Sequence, residues 1–256
     1  MKQDERAPFE HALRRARESA YPPGEYVEQE SFMRAGEIRG LAERAGISAG
    51  VSVLDLCCGV AGPGRFITRE LGCTYLGVDL SASAIEIARE RAAGLSCRFE
   101  VSRIPPLPLG PFDVVLLLET MLAFADKEPL LREVARALPT SGRFAFTLEE
   151  GVPLTDAERD RMPDADTVWL TPLEEVVADL ERVGLAVRWQ EDCSRSHRAV
   201  ADSLIDAFSA DAAEITAQIG CRALEELVAA HRLWSAWLQQ GRVRKFALVA
   251  EKAEPA

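Results

Sequence analysis

Lysine is nearly missing from this sequence: Lys2, Lys127, Lys245 and Lys252 are the only four, and arginine carries the rest of the positive charge. Acids still dominate, with 41 Asp and Glu against 30 Lys and Arg and a formal charge of −11. A chain that tracks a phosphate backbone gains affinity by neutralising it with basic side chains, so nucleic acid is a poor partner for this one. Long apolar runs are missing too. None exceeds Val114–Leu118, far short of the ~20 residues a membrane-spanning helix needs. The first twenty residues are charged throughout, without the apolar stretch of an export signal. Cysteines stand at 57, 58, 73, 97, 193 and 221 with no C-x-x-C pair, and no histidine is read beside them at zinc spacing. These absences predict reduced thiols, no metal, no membrane and a cytoplasmic protein.

What is present is ordinary globular material: 256 residues, 48% apolar and 28% charged, enough for one large domain or a domain with an insertion. No repeat or low-complexity stretch interrupts it. Residues 5–19 read as a polar helix ended by Tyr21-Pro22-Pro23-Gly24. Residues 27–45 carry Phe32, Ile38, Leu41 and Ala45 at helical spacing. Seven β-rich runs follow at 51–56, 74–80, 97–101, 112–118, 143–148, 185–190 and 245–251, with helices over about 63–71, 81–93, 127–138 and 171–183. Near-continuous apolar strands alternating with helices predict an α/β fold: a doubly wound, mostly parallel seven-stranded sheet with helices on both faces.

About 50 residues separate the last two strands, too many for a plain connection. Apolar stripes at Val200/Leu204/Phe208/Ile215/Ile219 and Leu224/Leu227/Val228/Trp234/Leu238, divided by Gly220, predict two amphipathic helices capping the sheet's carboxyl edge. The expected division is therefore a helical lid segment over 1–50, a core formed by 51–194 and 243–256, and a cap over 195–242.

The chemistry concentrates in Val53-Leu-Asp55-Leu-Cys57-Cys58-Gly59-Val-Ala61-Gly62-Pro-Gly64 and in Asp79 at the end of the second strand. Small residues between a strand and a helix let a ligand approach the backbone and the free N–H groups of the helix start. Asp79, twenty residues beyond Gly59, stands where an acid accepts hydrogen bonds from a ribose diol. A dinucleotide site takes G-x-G-x-x-G, because the pyrophosphate needs the helix terminus. Here the order is G-x-x-G-x-G, with an acid, Asp55, just ahead of it. A carboxylate repels pyrophosphate and attracts the ammonium of a methionine moiety, which favours S-adenosylmethionine over NAD.

With these motifs, in this order and spacing over about residues 26–190 and on to the last strand, the chain resembles the class I (Rossmann-like) S-adenosylmethionine-dependent methyltransferases. It is most similar to small-molecule members that share a "VLDLCCG" loop. The resemblance implies S-adenosylmethionine as cofactor, with Asp55, Cys57 and Gly59 at its methionine end, Asp79 and Leu80 at the ribose, and Arg103 and Ile104 near the adenine. The run Tyr26-Val-Glu-Gln29-Glu-Ser31-Phe32 resembles the family's lid, which implies a cofactor contact for Gln29 and a substrate contact for Tyr26. Cys57 and Ala61 replace two glycines of the usual D-x-G-x-G-x-G loop. Ala123 stands where a loop histidine is common, which removes an obvious general base.

Glu119, after the fourth strand, reads as a cofactor contact or general base, and His231 as a catalytic or substrate-binding residue. Glu149, Trp169 and Trp234 complete the expected substrate contacts, and Arg242, Arg244 and Lys245 read as a solvated basic cluster. The expected activity is in-line transfer of a methyl group to an O, N or C nucleophile of a small molecule, of the kind made in bacterial secondary metabolism. The alternatives are S-adenosylmethionine chemistry other than methylation, a non-catalytic partner subunit, and, last, an NAD-dependent oxidoreductase. Oligomeric state is not legible.

Overall fold

Successive strand residues point to opposite faces of a sheet, and here both faces are apolar. The computed structural model describes residues 11–253, so the beginning of the helix expected over 5–19 lies outside the described residues. The rest is α1 (His11–Ala20). Seven strands, β1 (Ser52–Leu56), β2 (Thr74–Asp79), β3 (Cys97–Val101), β4 (Val114–Leu117), β5 (Arg143–Glu150), β6 (Leu185–Asp192) and β7 (Arg244–Lys252), form one sheet in the order β3-β2-β1-β4-β5-β7-β6. β7 alone runs against the direction of the other six.

Leu54, Leu56, Val115, Leu117, Phe144 and Phe146 pack on one face against α5 (Glu128–Ala137) and α7 (Leu173–Arg182). The alternate residues Val53, Tyr75, Leu116 and Ala145 pack on the other against α2 (Ala35–Arg44), α3 (Gly62–Leu71) and α4 (Ala82–Arg91). Both faces are covered, as a parallel sheet requires. Chain order reverses between β1 and β4, and the carboxyl ends there open the crevice where ligands of such sheets settle.

Three differences from the sequence reading bear on the site. A short α6 (Asp156–Arg159) precedes α7, and the cap comprises three helices rather than two: α8 (Ser194–Ala210), α9 (Ala212–Ile219) and α10 (Cys221–Gln240). The stripe running to Ile219 is broken at Asp211, so one expected helix becomes α8 and α9. The helix expected over 27–45 begins only at Ala35. Its amino-terminal part, 27–34, is irregular chain held by Gln29, whose amide accepts from Val27 N (2.6 Å) and donates to Glu25 O (3.0 Å) and Met33 O (2.8 Å). A buried amide that satisfies three main-chain groups competes with helix there. This segment, α1 and the cap share a separate core around Leu13, Tyr21, Phe32, Leu204 and Phe208.

Candidate active site

β1 delivers Asp55 to the crevice and the chain turns at once. Cys57, Gly59 and Ala61 all have left-handed backbone, with φ of 57°, 54° and 55°. The loop thus keeps a glycine-like path although two of the three carry side chains. The other glycines are needed for space. A Cβ on Gly62 would stand 2.2 Å from Val27 O and 2.6 Å from Glu28 O; one on Gly64 would strike the Tyr75 ring at 2.1 Å. Gly62 therefore lets the lid lie directly on the start of α3, where Glu28 pairs with Arg65. Gly62→Ala is expected to cost about 1–3 kcal/mol by overpacking and to lift residues 27–28. Thermal unfolding together with limited proteolysis at 25–34 checks this, and an unshifted melting curve with an intact lid contradicts it.

Two chambers meet beneath the lid. The first, of about 200 Å³, is floored by Asp55, Cys57, Gly59 and Gly62 and walled by Glu28–Ser31 and Glu119. The second, of about 260 Å³, lies under the cap between Phe32, Leu204, Leu227, Trp234 and His231, with Glu149 and Lys245 at its base. Gln29, Glu30, Ser31 and Glu119 line both, and so form the partition.

Asp55 is fully buried, and its visible partner is the Tyr75 hydroxyl, which donates to it. Burial pushes its carboxyl up to about 7; the Tyr75 hydrogen bond opposes that rise and the Asp79 charge adds to it. No lysine or arginine lines this chamber, whereas Glu28, Glu30, Asp55 and Glu119 do. Such a site is hostile to pyrophosphate and short of one cation. Asp79 stands just outside the lining, its carboxylate accepting from Gly59 N (2.8 Å) and Ser81 N (2.8 Å). It braces the loop between the two strand ends.

At the partition Glu119 is also left-handed, with φ of 57°. Its N–H donates to Thr147 Oγ1 (2.5 Å), and its Oε2 accepts from Lys245 Nζ (2.6 Å). Lys245 also donates to Glu149 Oε1 (2.5 Å) and lies 5.4 Å from the centre of the Phe32 ring. Burial opposes the charge on both Glu119 and Lys245. Attraction overrides it, holding the Glu119 carboxyl below its ordinary range, with His197 contributing, and the Lys245 ammonium above its own. His231 is set between Phe32 and Phe208, and its Nδ1 lies 2.7 Å from Leu227 O. Burial lowers its pKa, which favours the neutral ring with the Nδ1 proton on that carbonyl. Nε2 is then left as a free base.

The residue pattern 53–142 matches the family described as "Methyltransferase domain". Over that stretch, about a third of its length, the chain is similar to methyltransferase domains. It is 31% identical over 169 residues to 27-O-demethylrifamycin SV methyltransferase of Amycolatopsis mediterranei, covering 62% of each. It is 37% identical over 112 residues to methyltransferase GfsG of Streptomyces halstedii, covering 41% of this chain and 40% of that one. The chain thus spans less than half the length of the latter relative. The fold superposes on a cyclopropane synthase from Mycobacterium tuberculosis with a TM-score of 0.83 at 13% identity, over 98% and 97% of the two chains.

The expected site residues divide into two groups. Gln29, Asp55, Cys57, Gly59, Glu119, Glu149, His231 and Trp234 line the two chambers. Tyr26, Asp79, Leu80, Arg103, Ile104 and Trp169 do not. Tyr26 packs on Tyr21, and Leu80 is exposed. Trp169 lies under Arg159, its indole N–H donating to Asp166 O (2.9 Å). The basic cluster comes apart. Arg242 pairs with Glu158 (2.7 Å) and Arg244 with Glu150 (2.8 Å), while Lys245 turns inward and is buried. Lys245 is a site residue that reading the sequence placed in solvent, although strand alternation at 244–245 hinted at it; His197, outside both chambers, was passed over.

Proposed function

We propose that this protein transfers a methyl group from S-adenosylmethionine to an O, N or C nucleophile of a small molecule, a natural-product intermediate being the preferred class. The observation that carries this reading is the pair of joined chambers, one acidic and lined by the glycine-rich loop, the other under the cap with apolar walls and a charged base. S-adenosylmethionine fits the first. Its ammonium is the cation that the buried Asp55 lacks, and Gly59, beside which a Cβ would meet nothing, leaves the backbone bare for close approach. Bound there, it supplies an activated methyl group, so alignment of the two reactants can account for much of the rate, up to ~7–11 kcal/mol.

The residues take corresponding roles. Asp55, Cys57 and Gly59 hold the methionine end, and Asp79 holds the ribose with the lone pairs left over from bracing Gly59 and Ser81. Glu119 stands at the partition where the methyl passes. Gln29 closes the wall through its fold, since both its amide hydrogens are taken by main-chain carbonyls. Phe32, Leu204, Leu227 and Trp234 hold an apolar frame and exclude water. When the nucleophile must lose a proton, His231 Nε2 is the base, neutral and open near physiological pH.

Calorimetric titration with adenosylhomocysteine tests the cofactor, and mass analysis of small-molecule panels incubated with S-adenosylmethionine tests the transfer. Binding of the thioether without binding of NAD is the expected result. NAD binding in its place refutes the reading. Asp79→Ala is expected to weaken the thioether at least tenfold, because it removes charge-assisted bonds; an unchanged dissociation constant removes the ribose role.

A further inference from the structure

Behind the partition, away from both chambers, the amino-terminal turn of α8 meets the start of α2. Cys193 and His197 lie one helical turn apart there, a ligand spacing that the reading of the cysteines passed over, and Glu37 of α2 faces them. One donor atom from each, thiol, imidazole and carboxylate, lies within 4.8 Å of the others. His197 is 1% exposed, and neither of its ring nitrogens has a hydrogen-bond partner. Nε2 stands 3.6 Å from Glu37 Oε2 and Nδ1 stands 3.9 Å from Glu119 Oε1, itself buried and without a partner. A buried imidazole with both nitrogens unsatisfied demands an explanation.

We propose that Glu37, Cys193 and His197 bind one divalent metal ion of borderline softness, zinc first among them. Ligands at ~2.0–2.3 Å around a tetrahedral ion stand roughly 3.3–3.8 Å apart. The 3.6 Å between His197 and Glu37 already fits, and Cys193 needs to move by less than a bond length. Thiolate with imidazole selects zinc or cobalt over magnesium or calcium. Glu37 already accepts from Arg34 N (2.8 Å), Arg34 Nη2 (3.2 Å) and the Ser196 hydroxyl. A carboxylate has about four lone-pair sites, so one on Oε2 remains for the ion. A groove of about 330 Å³ lined by Glu37 and Cys193 admits the ion and a water as fourth ligand. On binding, the Cys193 thiol gives its proton to solvent.

A ligating histidine commonly donates its other N–H to a carboxylate, and His197 Nδ1 faces Glu119. The ion thereby ties α2, α8 and the partition carboxylate into one unit. His197, Cys193 and Glu37 are positioning residues in this reading, and none touches either chamber.

The test uses the full chain, stripped of metal and titrated with Co²⁺. One equivalent is expected to bind, with a thiolate-to-cobalt charge-transfer absorption in the near ultraviolet. Cys193→Ser should abolish that absorption, and His197→Gln should weaken Co²⁺ at least tenfold with the circular dichroism unchanged. Cys221→Ser, at the exposed cysteine, should leave both intact. Absence of stoichiometric uptake overturns the proposal. Persistence of the absorption in Cys193→Ser, or its loss in Cys221→Ser, overturns it as well. If His197→Gln fails to fold, the near-isosteric Cys193→Ser still decides. The readout is independent of whether any methyl transfer is found.

Discussion

Lys245→Met is expected to lower the unfolding temperature by roughly 6–20 °C. Lys245 is the cation shared by Glu149, buried with it, and Glu119, whose side chain is nearly so at 9% exposure. Removing one partner of a buried ion pair costs about 3–5 kcal/mol, because an uncompensated charge stays behind, and a chain of this size loses ~2–4 °C per kcal/mol. Methionine keeps the length and the apolar stem, so lost packing contributes little. A compensated triple variant, Lys245→Met with Glu119→Gln and Glu149→Gln, should recover most of the loss in calorimetry. A melting temperature unchanged in the single variant shows that the three groups do not share one buried charge balance.

Adenosylhomocysteine affinity is expected to fall steeply below neutral pH, and Asp55 is the reason. Its carboxyl, raised to about 7 by burial, is protonated at pH 6 in the free protein. A ligand ammonium prefers the carboxylate, so binding competes with that proton. The dissociation constant should be nearly flat above pH 8 and rise about tenfold per unit below 7, following the linkage between proton and ligand. Asp55→Asn should weaken binding at least tenfold at pH 8 and remove the slope. A slope that survives in Asp55→Asn assigns the titration to another group.

Much of the fold was legible because it depends on local pattern. Apolar runs, loop glycines and the stop at Pro139–Gly142 are short-range signals, and all seven strands lie within a few residues of their expected places. The loop at 55–64 was equally legible, since a tight turn beside a strand end demands small residues wherever it occurs. Its two non-glycine substitutes, Cys57 and Ala61, keep the left-handed backbone that their positions require. The substrate side was read less well. Trp169 and Tyr26 are aromatic and near the site in sequence, yet nothing local says which way a loop turns them.

Lys245 marks the boundary between the two kinds of information. Beside Arg242 and Arg244 it looks like one of three solvated cations. Antiparallel register puts Lys245 opposite Glu149 and Arg244 opposite Glu150, and the pleat then sends one pair inward and the other out. Register is a long-range property, set by which strands meet. His197 is the same case, brought to Glu119 and Glu37 by the packing of a cap helix against a lid. Composition and periodicity determined the sheet, its helices and the acidic glycine-rich loop, because each depends on neighbours a few residues away. Tertiary packing decided which charges are buried together, because that depends on pairs a hundred residues apart, and burial is what makes a charge costly or useful.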